Sequence, residues 1–568
     1  MAIETTPLGF QKPDGNEPFR QGNDVISANA QKTQDLIAAA KARLALLEQS
    51  AGFPGDPVEL ADDVVQVLVT DPISTTAVAL NAAYGRTVLP SGLTAGTADA
   101  AAINAALLLG DVTLRGTYYT NAPIRVPSNR VLTLHEADVN LIPGSNCNVV
   151  QNYHQNATGN ENITLQGIGR AIINGGNSTT QTSASAYNSI GVTWTHVTNL
   201  TVRNVKIGPC RGPVMVLQGV INGKISGIEV AQDRTGNNQD GIDIGAACDG
   251  VDIRDITGIT GDDAFSLFSQ KTAGFAHSLY KAATGVPGTK NVTISNVSLN
   301  VGINPVRLQA GDGLTLTGVR ISNFRNTNPA TSLYAVLMFG SVAYVTTPPS
   351  MGDMTDITLS GYHGPGNVII GAGSNFSYVS VSDVTLTGPW KTFIGTEQSG
   401  TNYAATTEHI SFDNITASDA TGTPTVVNTP SGQSHSAMTL TNLKLRRIGN
   451  LLNNAGTISG LFINGVHIRS ITGQLIRSSA VETGQIDNVF IQGSSSSAYY
   501  LVNAARLRFG PSMPFVRSGD ITPDATTKGS IITCAAGKDP TGASSATGGQ
   551  YVANGATWVK TADLGTTF

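Results

Sequence analysis

The sequence predicts an all-β fold, a right-handed parallel β-helix wound as a single-stranded solenoid, with an N-terminal helical, coiled-coil-like segment and a small C-terminal β tip. Three observations predict it. A six-residue phrase (apolar, any, Gly/Asn/Asp, apolar, any, apolar) recurs from about residue 167 to residue 491. Its copies are spaced by 22 to 43 residues, mostly 22 to 31, the length of one coil or of a coil carrying an insertion. Charged residues are only 13% of the chain and Gly makes up 63 of 568 residues, a composition suited to short strands joined by turns.

The clearest copies are Val202–Ile207 (VRNVKI), Ile225–Val230 (ISGIEV), Ile294–Leu299 (ISNVSL), Leu316–Ile321 (LTGVRI), Val381–Leu386 (VSDVTL), Leu440–Leu445 (LTNLKL), Ile463–Ile468 (INGVHI) and Ile486–Ile491 (IDNVFI). Weaker ones centre on Gly167, Asp255, Gly361 and Asn414. Alternation with period two sends one apolar set inward. The central Gly, Asn or Asp tolerates the positive φ that a turn between short strands requires. Leucine-rich repeats have a similar period, but their obligatory leucine frame is absent. Coils stack about 4.8 Å apart, so a dozen make a rod on the order of 60 Å.

The other elements follow in chain order. Residues 1–55 are an irregular stretch and then a helix: Ile26, Ala30, Thr33, Ile37, Ala40, Leu44 and Leu47 step by three and four as a heptad seam, and Gly52 and Pro54 end it. The seam suits self-association, or an amphipathic helix packed on its own chain. Residues 56–87 read as a helical neck broken at Asp71 and Pro72, with Ser74 a candidate N-cap. The β-helix occupies 88–517, and an Ala-rich helix over 97–109 is expected to cap its first coil. After Arg517 the phrase is gone, and 518–568 reads as a small β tip.

Composition also excludes classes of function. Lys plus Arg is 34 against 39 Asp plus Glu, a net charge of −5, which argues against nucleic acid held through phosphates. No apolar run reaches the roughly 18 residues of a membrane span. Cys147, Cys210, Cys248 and Cys534 have neither metal-type spacing nor the density of a disulfide framework. The first residues lack a basic stretch followed by an apolar one, so no signal peptide is expected and synthesis in a reducing cytosol follows.

One region carries acids in an unusual arrangement: Asn238, Asp240, Gly241 and Asp243, then Gly261, Asp262 and Asp263. Asp240 and Asp262 lie 22 residues apart, one coil, so their carboxylates are expected to stack in one surface patch. Like charges this close raise at least one pKa. Glycoside hydrolysis needs such a set, one carboxyl protonated as acid and another ionised to activate water. Acid–base chemistry of this kind calls for no cofactor and no metal.

Here the sequence resembles a known family. N-x-D-G-I-D followed by GDDAFSLFS, which ends at Ser269, is similar to the polygalacturonase-like glycoside hydrolases on the pectate-lyase-type β-helix. The layout as a whole, with its short polar N-terminus, helical neck, AAAINAAL cap and β-helix, resembles bacteriophage tailspikes and minor tail proteins of the pectate-lyase superfamily. The layout covers most of the chain, the hydrolase motif only about residues 238–269. The motif implies Asp262 as the acid, Asp240 and Asp263 as the groups that activate water, and inversion at the anomeric carbon. It also implies substrate contacts from Asn238, Asp243, His277, Arg307 and Gln309.

Two departures bear on the substrate. The family's Gly-His-Gly is met only by Ala276, His277 and Ser278, and its Arg-x-Lys only by Arg307, Leu308 and Gln309. With that Lys gone, a neutral or differently charged glycan is expected rather than galacturonate. The layout implies a virion tail component made in the host cytoplasm, homotrimeric, joined to other tail proteins through residues 1–55 and acting on a host surface polysaccharide. A non-catalytic receptor-binding or structural tail protein is the alternative, as is a polysaccharide lyase using Ca²⁺ at the clustered carboxylates.

Each residue also has a structural reading. Asp-Gly is an ordinary turn pair, and adjacent Asp262 and Asp263 suit the end of a strand. Arg307 has Asp312 as a candidate partner, and His277 suits a surface loop. Trp194 and Trp390 suit either sugar stacking or packing, and Cys210 and Cys248 suit the interior.

Overall fold

The computed structural model describes residues 97–271 and 286–492, apart from short stretches within them, and isolated strands outside these limits. The helix expected within 1–55, the neck except for strand Arg86–Val88, and most of the C-terminal tip lie outside the described residues.

The described chain is a parallel β-helix. Each coil gives one long strand to one ladder and one short strand to another. Long strands such as Val197–Ile207, Lys224–Ala231, Asp249–Ile259, Thr289–Asn300 and Leu316–Asn326 pair in parallel, each with the next. The short strands, among them Met215–Gln218, Ile242–Ile244, Phe265–Ser269 and Val306–Ala310, belong to a second parallel sheet of 14 strands.

The repeat phrase acts through its central residue. Asn204, Gly227, Asp255, Asn296, Asp383, Asn442 and Gly465 all have φ between 54° and 70°. A left-handed residue interrupts the pleat, so Val202 and Val205, three apart, both enter the core on either side of Asn204. Successive coils in the middle of the solenoid have a second left-handed bend five residues earlier, at Asn199, Asn222, Gly250, Asn291 and Gly318. This corrects the alignment of one copy. Val292 pairs with Val319, so Gly318 in Leu316–Ile321 sits at the level of Asn291, and Asn323 is the residue level with Asn296. Both bends favour the same residue types, and the phrase cannot tell them apart.

Asn and Asp are used at these bends for a further reason. Asn199 donates to Asn162 at 3.0 Å, Asn222 to Asn199 at 3.3 Å, Asn296 to Asp255 at 3.2 Å and Asn323 to Asn296 at 3.3 Å. Each side chain joins its coil to the one before it.

A single apolar core runs along the solenoid and takes in Trp194 and Trp390, both 0% exposed, with Cys210 and Cys248. The two tryptophans are therefore packing residues, not sugar platforms. An α-helix occupies Thr97–Leu109 and lays Ile103 and Leu107 onto the core. Its Asp99 accepts the N–H of Tyr119 at 2.8 Å, and the Leu107 carbonyl accepts from Arg130 at 2.9 Å, which ties the helix to the first coils. No helix among the described residues is long and apolar enough to cross a membrane. Within 518–568, Ile531–Cys534, Gly549–Ala553 and Trp558–Lys560 form a small antiparallel sheet.

Candidate active site

The acids lie at the corner where a long strand gives way to a short one. Asp240 precedes strand Ile242–Ile244, while Asp262 and Asp263 occupy the turn between Asp249–Ile259 and Phe265–Ser269. Ile242 pairs with Phe265 and Phe265 with Val306, so Asp240, Asp263 and Asn304 stand at one level on three successive coils. The backbone N–H of Asp263 donates to Asp240 Oδ1 at 3.1 Å. Asn304 donates its backbone N–H and its amide to Asp263 Oδ1, at 3.2 and 2.7 Å. Adjacent residues of a strand would face opposite ways. Here the chain is turning, and one carboxylate oxygen from each of Asp240, Asp262 and Asp263 falls within 4.8 Å of the others. Asp240 is 5% exposed and Asp263 3%, whereas Asp262 is only half-buried and presents the cluster to solvent.

The glycines of both motifs have a packing role. A Cβ on Gly241 would stand 2.3 Å from the Ala264 carbonyl oxygen, and one on Gly261 would stand 2.7 Å from the Gln239 Cβ. Only glycine lets these coils approach so closely.

The remaining expected residues fall into different places. Asn238, with φ 60°, donates its backbone N–H to Asp262 Oδ2 at 3.2 Å and its amide to the Tyr187 hydroxyl at 3.4 Å. Asp243 stands on the outward side of its strand, in a cross-coil row with Val216, Ser266 and Arg307, yet it is fully buried. The Ser266 hydroxyl eases its charge, although no hydrogen bond of good geometry reaches either Asp243 oxygen. It forms part of the floor under the acids rather than a surface a sugar touches.

Arg307 pairs with Asp263 Oδ2 at 2.5 Å, not with Asp312, because its strand lies one coil beyond Asp263. Asp312 instead accepts the backbone N–H groups of Lys271 and Thr347. Gln309 is fully buried, and its Oε1 would stand 2.0 Å from a Cβ at Gly340, so its amide lies against that glycine instead of facing a groove. Ser269 is buried and donates to the Thr315 carbonyl at 2.6 Å, a structural tie. His277 lies outside the described residues.

Burial, and then the neighbouring carboxylates, raise Asp240 and Asp243 well above the usual carboxylate range. Burial and the charge of Asp263 push Asp262 up to about 6, against the opposing pull of Arg307 and the Asn238 N–H. Tyr187, in a short 3₁₀ turn at Ala186–Asn188, is raised by burial and by all four aspartates, and packs with Ile190, Val216 and Phe268 beside the acids. Sequence reasoning missed Tyr187 and Asn304. Tyr187 comes from an insertion with no motif of its own. Asn304 is one coil beyond Asp263, but that coil is 41 residues long and hides the spacing.

This arrangement can hold a proton on a partly exposed carboxyl beside an ion-paired carboxylate. Oxygens up to 4.8 Å apart can share one water at hydrogen-bonding distance from both. They are also close enough to share a divalent cation, but Asn304 and Arg307 already engage both oxygens of Asp263. The same corner continues toward the C-terminus as a groove of about 480 Å³ lined by Tyr334, Asn367, Lys391, Asn428 and Asn453. It begins about two coils beyond Asp263, about 10 Å along the axis.

No family model and no curated protein matches the chain. Among solved structures, the chain is similar to an endo-xylogalacturonan hydrolase from Aspergillus tubingensis, at 15% identity and a TM-score of 0.36, over 72% of this chain and 100% of that one. It is similar to a hyperthermoactive exopolygalacturonase from Thermotoga maritima, at 15% identity and a TM-score of 0.39, over 76% and 95%. An N-terminal fragment of gene product 12 of bacteriophage Phi29 matches at 15% identity and a TM-score of 0.37, over 73% and 81%.

Proposed function

We propose that this chain is a phage tailspike or minor tail protein that binds and hydrolyses a host surface polysaccharide at the Asp240, Asp262 and Asp263 cluster. The observation that carries this reading is the convergence of three carboxylates from two coils within 4.8 Å, with the accessible one, Asp262, titrating at about 6. Asp262 gives its proton to the glycosidic oxygen as the bond from the anomeric carbon breaks. A water held between Asp240 and Asp263 adds its oxygen to that carbon and passes a proton to Asp263, whose charge Arg307 balances. Asp263 then releases that proton to solvent and Asp262 takes one up, which restores the starting state.

Because Arg307 is turned to Asp263, a neutral sugar suits the cleavage point better than a uronate. The groove beyond the acids, lined by amides, a tyrosine and Lys391, suits further sugars of a polymer. The tail-protein part of the reading rests on the layout of the sequence, in which residues 1–55 attach the chain to other tail proteins of the virion and support a homotrimer. Incubation with purified host-cell polysaccharide tests the reading. New reducing ends without near-ultraviolet absorbance support hydrolysis. Absorbing, chelator-sensitive products would make the protein a lyase, and binding without new ends would make it a receptor-binding protein.

A further inference from the structure

A second groove lies on the other ladder, and nothing above uses it. Lys444, His467 and Phe490 occupy one cross-coil row. Arg446, Arg469 and Gln492 form the next, and each donates its backbone N–H to the preceding coil. Between the rows, Leu445, Ile468 and Ile491 turn into the core, so both rows point outward. Together they line a groove of about 330 Å³. Phe490 is 55% exposed, and its ring centre is 5.8 Å from that of His467. A chain with only 34 Lys and Arg in 568 residues thus gathers three of them, with a histidine and an exposed aromatic ring, on three neighbouring coils. Among the described residues, no ion pair joins Lys444 or Arg469 to a carboxylate.

We infer that this groove binds an anionic polysaccharide segment, with its carboxylate or phosphate groups held by Arg446, Arg469 and Lys444 and a sugar ring laid against Phe490. Guanidinium forks match carboxylate and phosphate oxygens in pairs, and an exposed aromatic ring offers an apolar face to a sugar. Rows that repeat about every 4.8 Å along the axis set the cations out in a line, as a charged polymer requires. A nucleic acid is the poorer occupant, because the chain as a whole is net negative at −5 and the cationic surface spans only three coils. The register carries Gly258 through Leu299, Asn326, Gly364, Leu386 and Ala417 to Leu445, six coils, so the groove lies about 29 Å along the rod from the acids. It is a holding site separate from the cleavage point.

The test is affinity electrophoresis of the full chain in gels containing sodium polygalacturonate, with dextran as the neutral control. The wild-type chain and Asp262→Asn are both expected to be retarded by polygalacturonate and not by dextran, less so as NaCl is added. The double variant Arg446→Ala/Arg469→Ala is expected to bind at least tenfold more weakly with an unchanged circular dichroism spectrum. Lys444→Ala and Phe490→Ala, both surface changes, are expected to weaken binding severalfold and serve if the double variant does not fold. No retardation by polygalacturonate, equal retardation by dextran, unchanged binding in the arginine and Phe490 variants, or tighter binding of a single-stranded oligonucleotide would each overturn the inference. Failure of the hydrolase reading would leave these results untouched, because Asp262→Asn keeps the groove intact.

Discussion

Asp263 donates its backbone N–H to the carboxylate of Asp240, its neighbour one coil back, at 3.1 Å, and accepts in turn from Asn304 one coil ahead. The same device joins the Asn and Asp residues at the bends of the other ladder. At the corner it places two carboxylates against each other, with Asp262 beside them. Winding thus builds the cluster and holds it, and the energetic consequences can be measured.

The first concerns pH. Asp243 and Asp240 titrate well above the 3.8 of a free Asp, and Asp262 at about 6. The folded chain therefore holds protons that the unfolded chain releases, so these groups stabilise the fold fully below about pH 4. That contribution is lost as pH rises through each raised value, about 6 for Asp262. Asp243→Asn should raise the melting temperature at pH 8 by about 2 °C or more and change it little at pH 4. Differential scanning calorimetry at both pH values checks this, and equal shifts at the two would contradict it.

The second concerns the ion pair. Arg307 and Asp263 are nearly buried, with side chains 16% and 5% exposed, so removing one partner strands a charge. Arg307→Ala should cost about 3 kcal/mol in a urea titration. Arg307→Met combined with Asp263→Asn should restore much of that loss. A double variant no more stable than Arg307→Ala would show that the pair is not the source.

The third concerns the bends. Asn296 has φ 54°, where a β-branched side chain is strained. Asn296→Val should lower thermal stability clearly more than Asn296→Gly, since both lose the bonds to Asp255 and from Asn323 but only valine is strained at this φ. Equal losses would argue against a left-handed requirement at this level.

The repeat phrase made the coils legible because each bend needs the same few residue types and each strand the same alternation. Asp240 and the Asp262-Asp263 pair were legible as neighbours because they lie about one uninterrupted coil apart, but the register is 23 residues, so Asp240 is level with Asp263 and not, as its 22-residue spacing suggested, with Asp262. Where insertions stretch the coil the signal fails, which hides Asn304. A residue reaching in from an insertion, such as Tyr187, leaves no trace in spacing at all. Side-chain partners are also beyond the pattern: Arg307 has Asp312 close in sequence but pairs with Asp263 across a coil. Burial decides the rest, and Gln309, polar and on an outward position, is closed off by Gly340.

The fourth concerns stereochemistry. Three carboxylate oxygens within 4.8 Å are closer than the roughly 6.5–9.5 Å usual for inverting glycosidases. A nucleophile, however, must present an open, ionised oxygen: those of Asp263 are engaged by Asn304 and Arg307, and burial raises Asp240 well above the usual carboxylate range, which disfavours its ionised form. Proton NMR of the first-formed product should therefore show inversion at the cleaved centre. A retained configuration would mean that one of these carboxylates attacks the sugar.

The release of reducing ends from host-cell polysaccharide by Asp262→Asn, beside the unaltered chain, bears most directly on the acid cluster. Loss of the proton donor should slow release by about 100-fold or more, and release by the unaltered chain should decline as pH rises through about 6. Asp262→Asn working at the unaltered rate would contradict the assignment.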